Sequence, residues 1–341
     1  MVTRSAVFYH YPCPDGAFAA LAAHLYFKAV SRPVVFFPNP VFDPIRTENL
    51  PLDEFDDVYM LDFVGPPCFV REISSKVRSV IILDHHKTAL ETLRETTSIG
   101  KNVTKIIDME RSGATIAYDF FKEKLLGRTI GADNHIGGDV VSASCGQLVP
   151  ESELERVNRL FKYIEDGDLW RWALPDSKAF SSGMKDLNVD FNARLNVTLF
   201  DQLLALDPQF LINQGQMTIS RKQKLIDDVL EQSYEIALGG GLFGYCLAVN
   251  ADSVSNLRSE LGHQLADKSH NLQLRGIGAV VYMVPELENN QLLKISLRSV
   301  GNEDTTPISQ KYGGGGHQNA SSFMLSSAEF EKWKVGVRPL A

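Results

Sequence analysis

Three segments of the 341-residue chain concentrate side chains that bind cations or move protons. The first is His10-Tyr-Pro-Cys13-Pro-Asp15-Gly16, an imidazole, a thiol and a carboxylate within one tight turn. The glycine lets the backbone bend there and exposes the start of the next helix, which favours anions. A proline-rich turn with Asp15 as a helix cap accounts for that segment equally well on its own. The second is Asp84-His85-His86, directly after Ser79-Val80-Ile81-Ile82-Leu83. Three adjacent titratable residues at the end of a buried strand are costly unless paired or metal-bound. Imidazole and carboxylate together are ordinary ligands for Mn²⁺, Mg²⁺ or Zn²⁺. A solvated strand end is the lesser alternative. The third is Tyr312-Gly313-Gly314-Gly315-Gly316-His317-Gln318-Asn319-Ala320. Consecutive glycines let a backbone approach a ligand and turn several N–H groups toward an anion. A glycine run is more often a linker. Arg298, ending an upstream strand, and His317 favour a phosphate cradle.

Single residues extend the set. Asp62 closes the apolar run Val58-Tyr59-Met60-Leu61, and Asp166 and Asp168 follow a helical stretch. A turn aspartate and an acidic helix end would also explain them. Of the eight histidines, His10, His85, His86 and His317 fall in these motifs. His24, His135, His263 and His270 read as packing or surface residues.

The elements that must position these groups alternate between strand and helix. Residues 5–9, 58–62 and 80–84 read as strands; 16–30, 112–124 and 151–164 read as helices, with Ser112 a plausible N-cap. Such alternation predicts a parallel sheet with helices on both faces, an α/β fold. Ligands then bind outside the carboxyl ends of the strands, where residues 10–15, Asp62 and Asp84-His85-His86 would meet. Residues 125–150, rich in Gly, Asn, Ser and Asp, predict a long loop. Residues 242–249, 279–284 and 292–297 predict strands and 254–266 a helix. The expected organisation is a metal-binding domain over 1–185, a helical connector over 186–235 and a smaller α/β domain over 236–341, with a cleft between the two domains.

Composition narrows the class. With 44% apolar and 22% charged residues the chain is ordinary globular material. A net charge of −8 argues against a broad grip on long duplex nucleic acid. Cys13, Cys68, Cys145 and Cys246 form no zinc-finger spacing, which suggests free thiols in a reducing, cytoplasmic setting. No run is long and apolar enough to span a membrane, and none has the form of a signal peptide. A homo-oligomer stays open.

Taken together, the motifs resemble the DHH phosphoesterase family, the RecJ-like group, with its DHH-associated C-terminal domain. The eponymous triplet stands as Asp84-His85-His86 and the opening motif as His10…Cys13-Pro14-Asp15-Gly16. Asp62 matches the isolated second-motif aspartate and Asp166 the fourth, with Asp168 a rival. The terminal glycine motif stands as Gly314-Gly315-Gly316-His317. The resemblance spans nearly the whole chain. It implies a two-metal phosphoesterase using Mn²⁺, with Mg²⁺ as the alternative. His10 and Asp62 would hold one ion; Asp15, Asp62, His85 and Asp166 would hold the other. Asp84 would orient its neighbours and His86 would face the scissile phosphate. Arg298, Gly315, Gly316 and His317 would bind substrate. One position departs from the pattern: Cys13 stands where the family has aspartate. It would ligate as thiolate, line the site, or leave the first metal weakly held.

The expected function is hydrolysis of phosphoester bonds in short nucleotides: short oligoribonucleotides, dinucleotides or 3′-phosphorylated adenosine nucleotides. Two alternatives are hydrolysis of pyrophosphate or polyphosphate, and nucleotide binding by a catalytically weakened relative of the family. Trp170, Trp172 and Tyr312 are candidate base-stacking residues.

Overall fold

Short β-branched and aromatic runs build two sheets, one in each of the compact units that divide the chain, Met1–Thr218 and Ile219–Ala341. The architecture comes from a computed structural model that describes residues 4–40, 43–66, 68–95, 100–132, 147–284, 289 and 291–336.

The first unit carries strands β1 (Ser5–Tyr11), β2 (Val34–Pro40), β3 (Asp57–Leu61), β4 (Ser79–Asp84) and β5 (Val103–Ile107). They lie in the order β2-β1-β3-β4-β5, all parallel. Successive side chains point to opposite faces, and here both faces are buried. Val7, Tyr9, Tyr59, Leu61, Ile81 and Leu83 belong to one core, shared with helices α1 (Pro14–Ala29), α4 (Gly113–Ala132) and α5 (Glu151–Asp168). Ala6, Phe8, Val58, Met60, Val80 and Ile82 belong to the other, shared with α2 (Phe69–Ser74) and α3 (Lys87–Glu95). That double burial is why the strands read as unbroken apolar runs. α1 is buried almost all round, as its alanine-rich sequence requires of a helix with no polar face.

From β1 the chain crosses through α1 to β2 on one side, whereas β3 pairs on the other. The connections therefore diverge between β1 and β3, and the crevice at their carboxyl ends is the place where such sheets bind ligands. His10 and Asp62 stand there.

Two segments depart from expectation. Residues 125–132, expected in a loop, continue α4, and 133–146, including Cys145, lie outside the described residues. The stretch 186–218, expected as part of a connector, packs into the first unit. Leu199 and Leu203 of α7 (Leu199–Leu204) and Leu211 and Ile212 of α8 (Pro208–Leu230) are buried in its core, beside α6 (Ser177–Asp186). The division between units falls inside α8.

The second unit has β6 (Tyr234–Ala237), β7 (Tyr245–Asn250), β8 (Ile277–Met283), β9 (Leu292–Ser299), β10 (Gly315–His317) and β11 (Ala320–Ser326). Their order is β10-β11-β9-β8-β7-β6, antiparallel except for the β7–β8 pair. α9 (Arg258–Asn271) makes the parallel crossover and buries Leu261 and Leu265 on one face. α10 (Thr306–Lys311) and α11 (Ser327–Glu331) contribute Ile308 and Phe330 to the core of the other face. The unit is thus a smaller mixed α/β layer. Among the described residues no helix is long and apolar enough to cross a membrane.

Candidate metal centre

The parallel sheet delivers its chemistry along one edge. β1 carries His10 next to its last residue, and the following turn, with Cys13 as the residue before α1, sets Asp15 in the helix's first turn. Gly16 is required there by space: a Cβ would stand 2.2 Å from the His10 carbonyl oxygen. β3 hands over to Asp62, whose backbone takes the left-handed conformation at φ 64° while its N–H still donates to Leu83 at 2.8 Å. A non-glycine residue held this way is strained, and such strain gathers at functional sites. β4 ends in Asp84 and passes directly to His85 and His86.

These side chains converge. His10 Nδ1 lies 3.1 Å from Asp62 Oδ2. His85 Nε2 lies 3.1 Å from Asp62 Oδ1, 3.7 Å from Asp15 Oδ2 and 3.4 Å from Asp168 Oδ2. His86 Nδ1 lies 2.8 Å from Asp84 Oδ1, which also accepts the backbone N–H groups of His85 and His86 at 2.7 and 3.0 Å. Three overlapping sets could each hold a cation: His10, Cys13 and Asp62; Asp15, His85 and Asp168; Asp62, Asp84, His85 and His86. Asp62 joins the first to the third, and His85 the second to the third.

The donor atoms themselves test the fit. Asp15 Oδ2, Asp62 Oδ1, Asp84 Oδ2 and His85 Nε2 are buried without a hydrogen-bond partner. The close approach of His85 Nε2 to Asp62 Oδ1 is not aligned as a hydrogen bond. Buried polar atoms are satisfied in the great majority of cases, so four orphans in one cluster call for a missing partner. Nitrogen and carboxylate oxygen with one sulfur suit Mn²⁺ or Zn²⁺, and the oxygens suit Mg²⁺.

Electrostatics agree. Burial, with Asp62 and Asp168 beside it, pushes the Asp15 carboxyl well above the usual carboxylate range. Burial raises Asp168 as well, and Asp62 adds to it. Burial would also raise Asp62, but the His10 and His85 rings beside it hold it down at about 2. For His85 burial opposes the charged ring, and Asp62 outweighs it, so the pKa rises. The Asp84 carboxylate raises His86 to about 9. Burial pushes the Cys13 thiol far up, so without a cation it stays protonated. Crowded carboxylates that protonate when alone become ionised beside a divalent cation.

Asp166 is not brought to the cluster. Its carboxylate accepts the N–H groups of Ala173 at 2.9 Å and Leu174 at 3.3 Å, closing the turn after α5. Asp168, two residues and about 200° further round the helix, takes the place expected for Asp166. Two groups went unread in the sequence. Gly113, at the start of α4, lies so close that a Cβ would stand 2.7 Å from Asp62 Cβ and 2.9 Å from Asp15 Oδ2. The next residue, Ala114, donates its N–H to Asp15 Oδ1 at 3.1 Å. The Ser112 hydroxyl accepts from Thr115 N at 3.4 Å, the capping contact its position suggested. Only the tight contact between elements distant in sequence reveals Gly113.

Cavities flank the cluster on two sides. One, of about 490 Å³, is bounded by His10, Asp62, Asp84, His86, Thr88 and Thr92. The other, of about 230 Å³, opens beside Asp15 and Asp168.

The remaining expected residues lie in the second unit. Arg298 of β9 pairs across the sheet with Ala320, and Ala320 with His317, so the three share one row and one face. The Arg298 stem runs over Gly262 of α9, with its guanidinium 3.4 Å from the Ser259 hydroxyl. Gly315, Gly316 and His317 form the exposed strand β10 rather than a loose linker. Behind it the hydroxyls of Thr305, Ser309 and Ser321 form a buried network that fixes the hairpin. Tyr312 is not free to stack on a ligand: it lies on Phe323 at 5.0 Å and against Trp333. His24 packs on Phe200 at 4.5 Å.

No family model matches the chain. An uncharacterised protein, R106, of Acanthamoeba polyphaga mimivirus is 24% identical over 96% of this chain and 69% of its own length. Among solved structures, a pGpG-specific phosphodiesterase of Vibrio cholerae shares 10% identity and a TM-score of 0.37, covering 97% of this chain and 95% of that one. An exopolyphosphatase-related protein of Bacteroides fragilis gives 14% and 0.32, covering 94% and 86%. RecJ of Thermus thermophilus, in complex with Mg²⁺, gives 15% and 0.31, covering 97% and 48%. Scores of this size leave function to be argued from the residues themselves.

Proposed function

We propose that the protein is a divalent-cation-dependent hydrolase of phosphoester bonds in short nucleotides, working with Mn²⁺ or, alternatively, Mg²⁺. The observation that carries this is the cluster of buried, partnerless carboxylate and imidazole atoms at the β1–β3 switch point. The order and spacing of the five motifs, which resemble those of DHH phosphoesterases, support it from the sequence side.

His10, Cys13 and Asp62 would hold one cation; Asp15, His85 and Asp168, with Asp62, would hold the other. When bound, the cations lower the pKa of water and neutralise phosphoryl oxygens. Asp84, anchored by two backbone N–H groups and the His86 ring, fixes that ring's position. Positioned in this way, the His86 ring would face a phosphoryl or departing oxygen and could pass a proton to it. Arg298, Gly315, Gly316 and His317 form a basic, N–H-rich edge suited to a phosphate group. The free thiols Cys13, Cys68 and Cys246 fit a reducing, cytoplasmic setting.

The test is a panel of short oligoribonucleotides, linear dinucleotides, 3′-phosphoadenosine nucleotides and pyrophosphate, each with Mn²⁺ and with Mg²⁺. Release of nucleotide with Mn²⁺, abolished by chelation, is expected. Saturable Mn²⁺ binding with no product from any substrate would overturn the hydrolase reading.

A further inference from the structure

The cavity beside Asp15 and Asp168 is unlike the rest of the site. Its walls carry Tyr163, Trp170, Trp172, Phe180 and Met184, and its rim carries Ser181 and Lys185. Phe180, Ser181, Met184 and Lys185 line one face of α6, and Tyr163, Gly167 and Asp168 line the end of α5. Tyr163 and Phe180 stack on each other at 4.7 Å and 16°. Trp170 and Trp172 meet edge to face at 5.5 Å and 82°.

The two tryptophans are held in place against their own preferences. Both take left-handed backbone conformations, φ 53° at Trp170 and 51° at Trp172, unusual for bulky residues. The turn is fixed from within: Asp166 accepts the N–H groups of Ala173 and Leu174, and its carbonyl accepts that of Arg171. Asp166, one turn-closing carboxylate, thereby keeps the aromatic pair next to the Asp168 end of the cluster. Trp170 is nonetheless 77% exposed, so core packing does not explain its strain. Strain without burial points to a side chain kept ready for a ligand.

We propose that this cavity is a nucleobase subsite: a purine or pyrimidine stacks against Trp170 and Trp172 while its phosphate ester faces the Asp15–Asp168 edge of the metal cluster. The proposal rests on the hydrolase reading for the identity of that edge, and it names the substrate class. At about 230 Å³ the cavity falls below the range of about 300–1,000 Å³ typical of drug-sized ligands, a size for one base and not a longer stack. Ser181 and Lys185 offer donors to the polar edge of a base, which an apolar chain would leave unpaired. Pyrophosphate and polyphosphate have no surface that an aromatic wall could cover, so this cavity favours nucleotides over them.

The test is calorimetric titration of adenosine 5′-monophosphate into the Mn²⁺-loaded full chain, for the native protein and for Trp170→Ala, Trp170→Phe and Trp170→Gly. Loss of one stacking partner should weaken binding about tenfold, the equivalent of about 1.4 kcal/mol, in the alanine and glycine variants. Phenylalanine should restore most of it. The glycine variant should melt no lower than the native protein, because glycine adopts φ 53° without strain. In turnover assays Trp170→Ala should raise KM for a dinucleotide. Dinucleotide hydrolysis with binding and KM unchanged in Trp170→Ala would overturn the subsite and leave the hydrolase standing. Binding lost in that variant, with no turnover by the native protein under any metal, would sink the hydrolase reading and leave the subsite.

Discussion

At the scale of single residues, the decisive pair is Asp166 and Asp168. Both are acidic, both end the same helix, and a sequence alone assigns neither. A helix separates positions two apart by about 200°, so only one can face the cluster. The structure turns Asp168 toward His85 at 3.4 Å and gives Asp166 two backbone N–H groups to hold. Their substitutions should therefore differ in kind. Asp168→Asn should leave the melting temperature near native and weaken Mn²⁺ binding by an order of magnitude or more. Asp166→Asn should lower stability by about 1–3 kcal/mol, the penalty for weakening a buried charged acceptor, with a smaller change in cation affinity. Paired melting curves and Mn²⁺ titrations check this, and equal metal defects in both variants would contradict the geometry. Cys13 poses a second question at this scale. Its sulfur shares a set with His10 and Asp62, and its thiol is hard to ionise without a cation. A carboxyl at this position would be raised by the same burial and neighbours, yet it starts several units below a thiol and ionises more readily beside a cation. Cys13→Asp should thus tighten Mn²⁺ binding and keep or raise hydrolysis, measured by titration and initial rates. A fall in both would show that the sulfur has a role a carboxylate cannot fill.

At the scale of elements, the strands that carry His10, Asp62 and Asp84 were legible because each is buried on both faces and reads as an apolar run. The two edge strands were not. β2, Val-Val-Phe-Phe-Pro-Asn-Pro, contains prolines that argue against a strand interior, and it tolerates them as an edge. β5 has an exposed middle, Thr104 and Lys105 included, so its pattern carries little apolar signal. The same limit hid the role of α4. Its start looks like an ordinary capped helix in sequence. In space it is pressed onto two carboxylates, and Gly113 is what allows the contact. Gly113→Ala would gain some helix propensity, up to about 1 kcal/mol. Against that stands a Cβ within 3 Å of Asp62 and Asp15 atoms, an overlap whose relief costs about 1–3 kcal/mol. The expected net result is a modest loss of stability with a clear loss of Mn²⁺ affinity, because relief must move the ligands. A variant that melts higher and binds Mn²⁺ normally would show that α4 can withdraw without disturbing the site.

At the scale of the molecule, the charge of −8 and the two-unit division bear on each other. The buried aspartates Asp15, Asp57, Asp62, Asp84 and Asp166 lie in the first unit, and Asp15, Asp62 and Asp84 belong to the metal cluster. The proposed cations would therefore stabilise that unit and not the second, since a ligand stabilises only the folded form that binds it. The three tryptophans allow this to be read separately. Trp170 and Trp172 belong to the first unit, and Trp333, 1% exposed, is buried in the core of the second. In a Trp170→Phe, Trp172→Phe background of the full chain, fluorescence reports Trp333 alone, while helical circular dichroism is weighted toward the first unit. Mn²⁺ at about 100 times its dissociation constant adds about 2.7 kcal/mol. For a unit of this size that corresponds to a rise of roughly 5–10 °C in the dichroism midpoint. The Trp333 transition should stay in place, and chelation should return the dichroism curve to its starting point. If both transitions rise together with Mn²⁺, the units unfold as one and their division is geometric only. If neither rises, the orphaned carboxylates are not a cation site, and the hydrolase reading loses the observation it stands on.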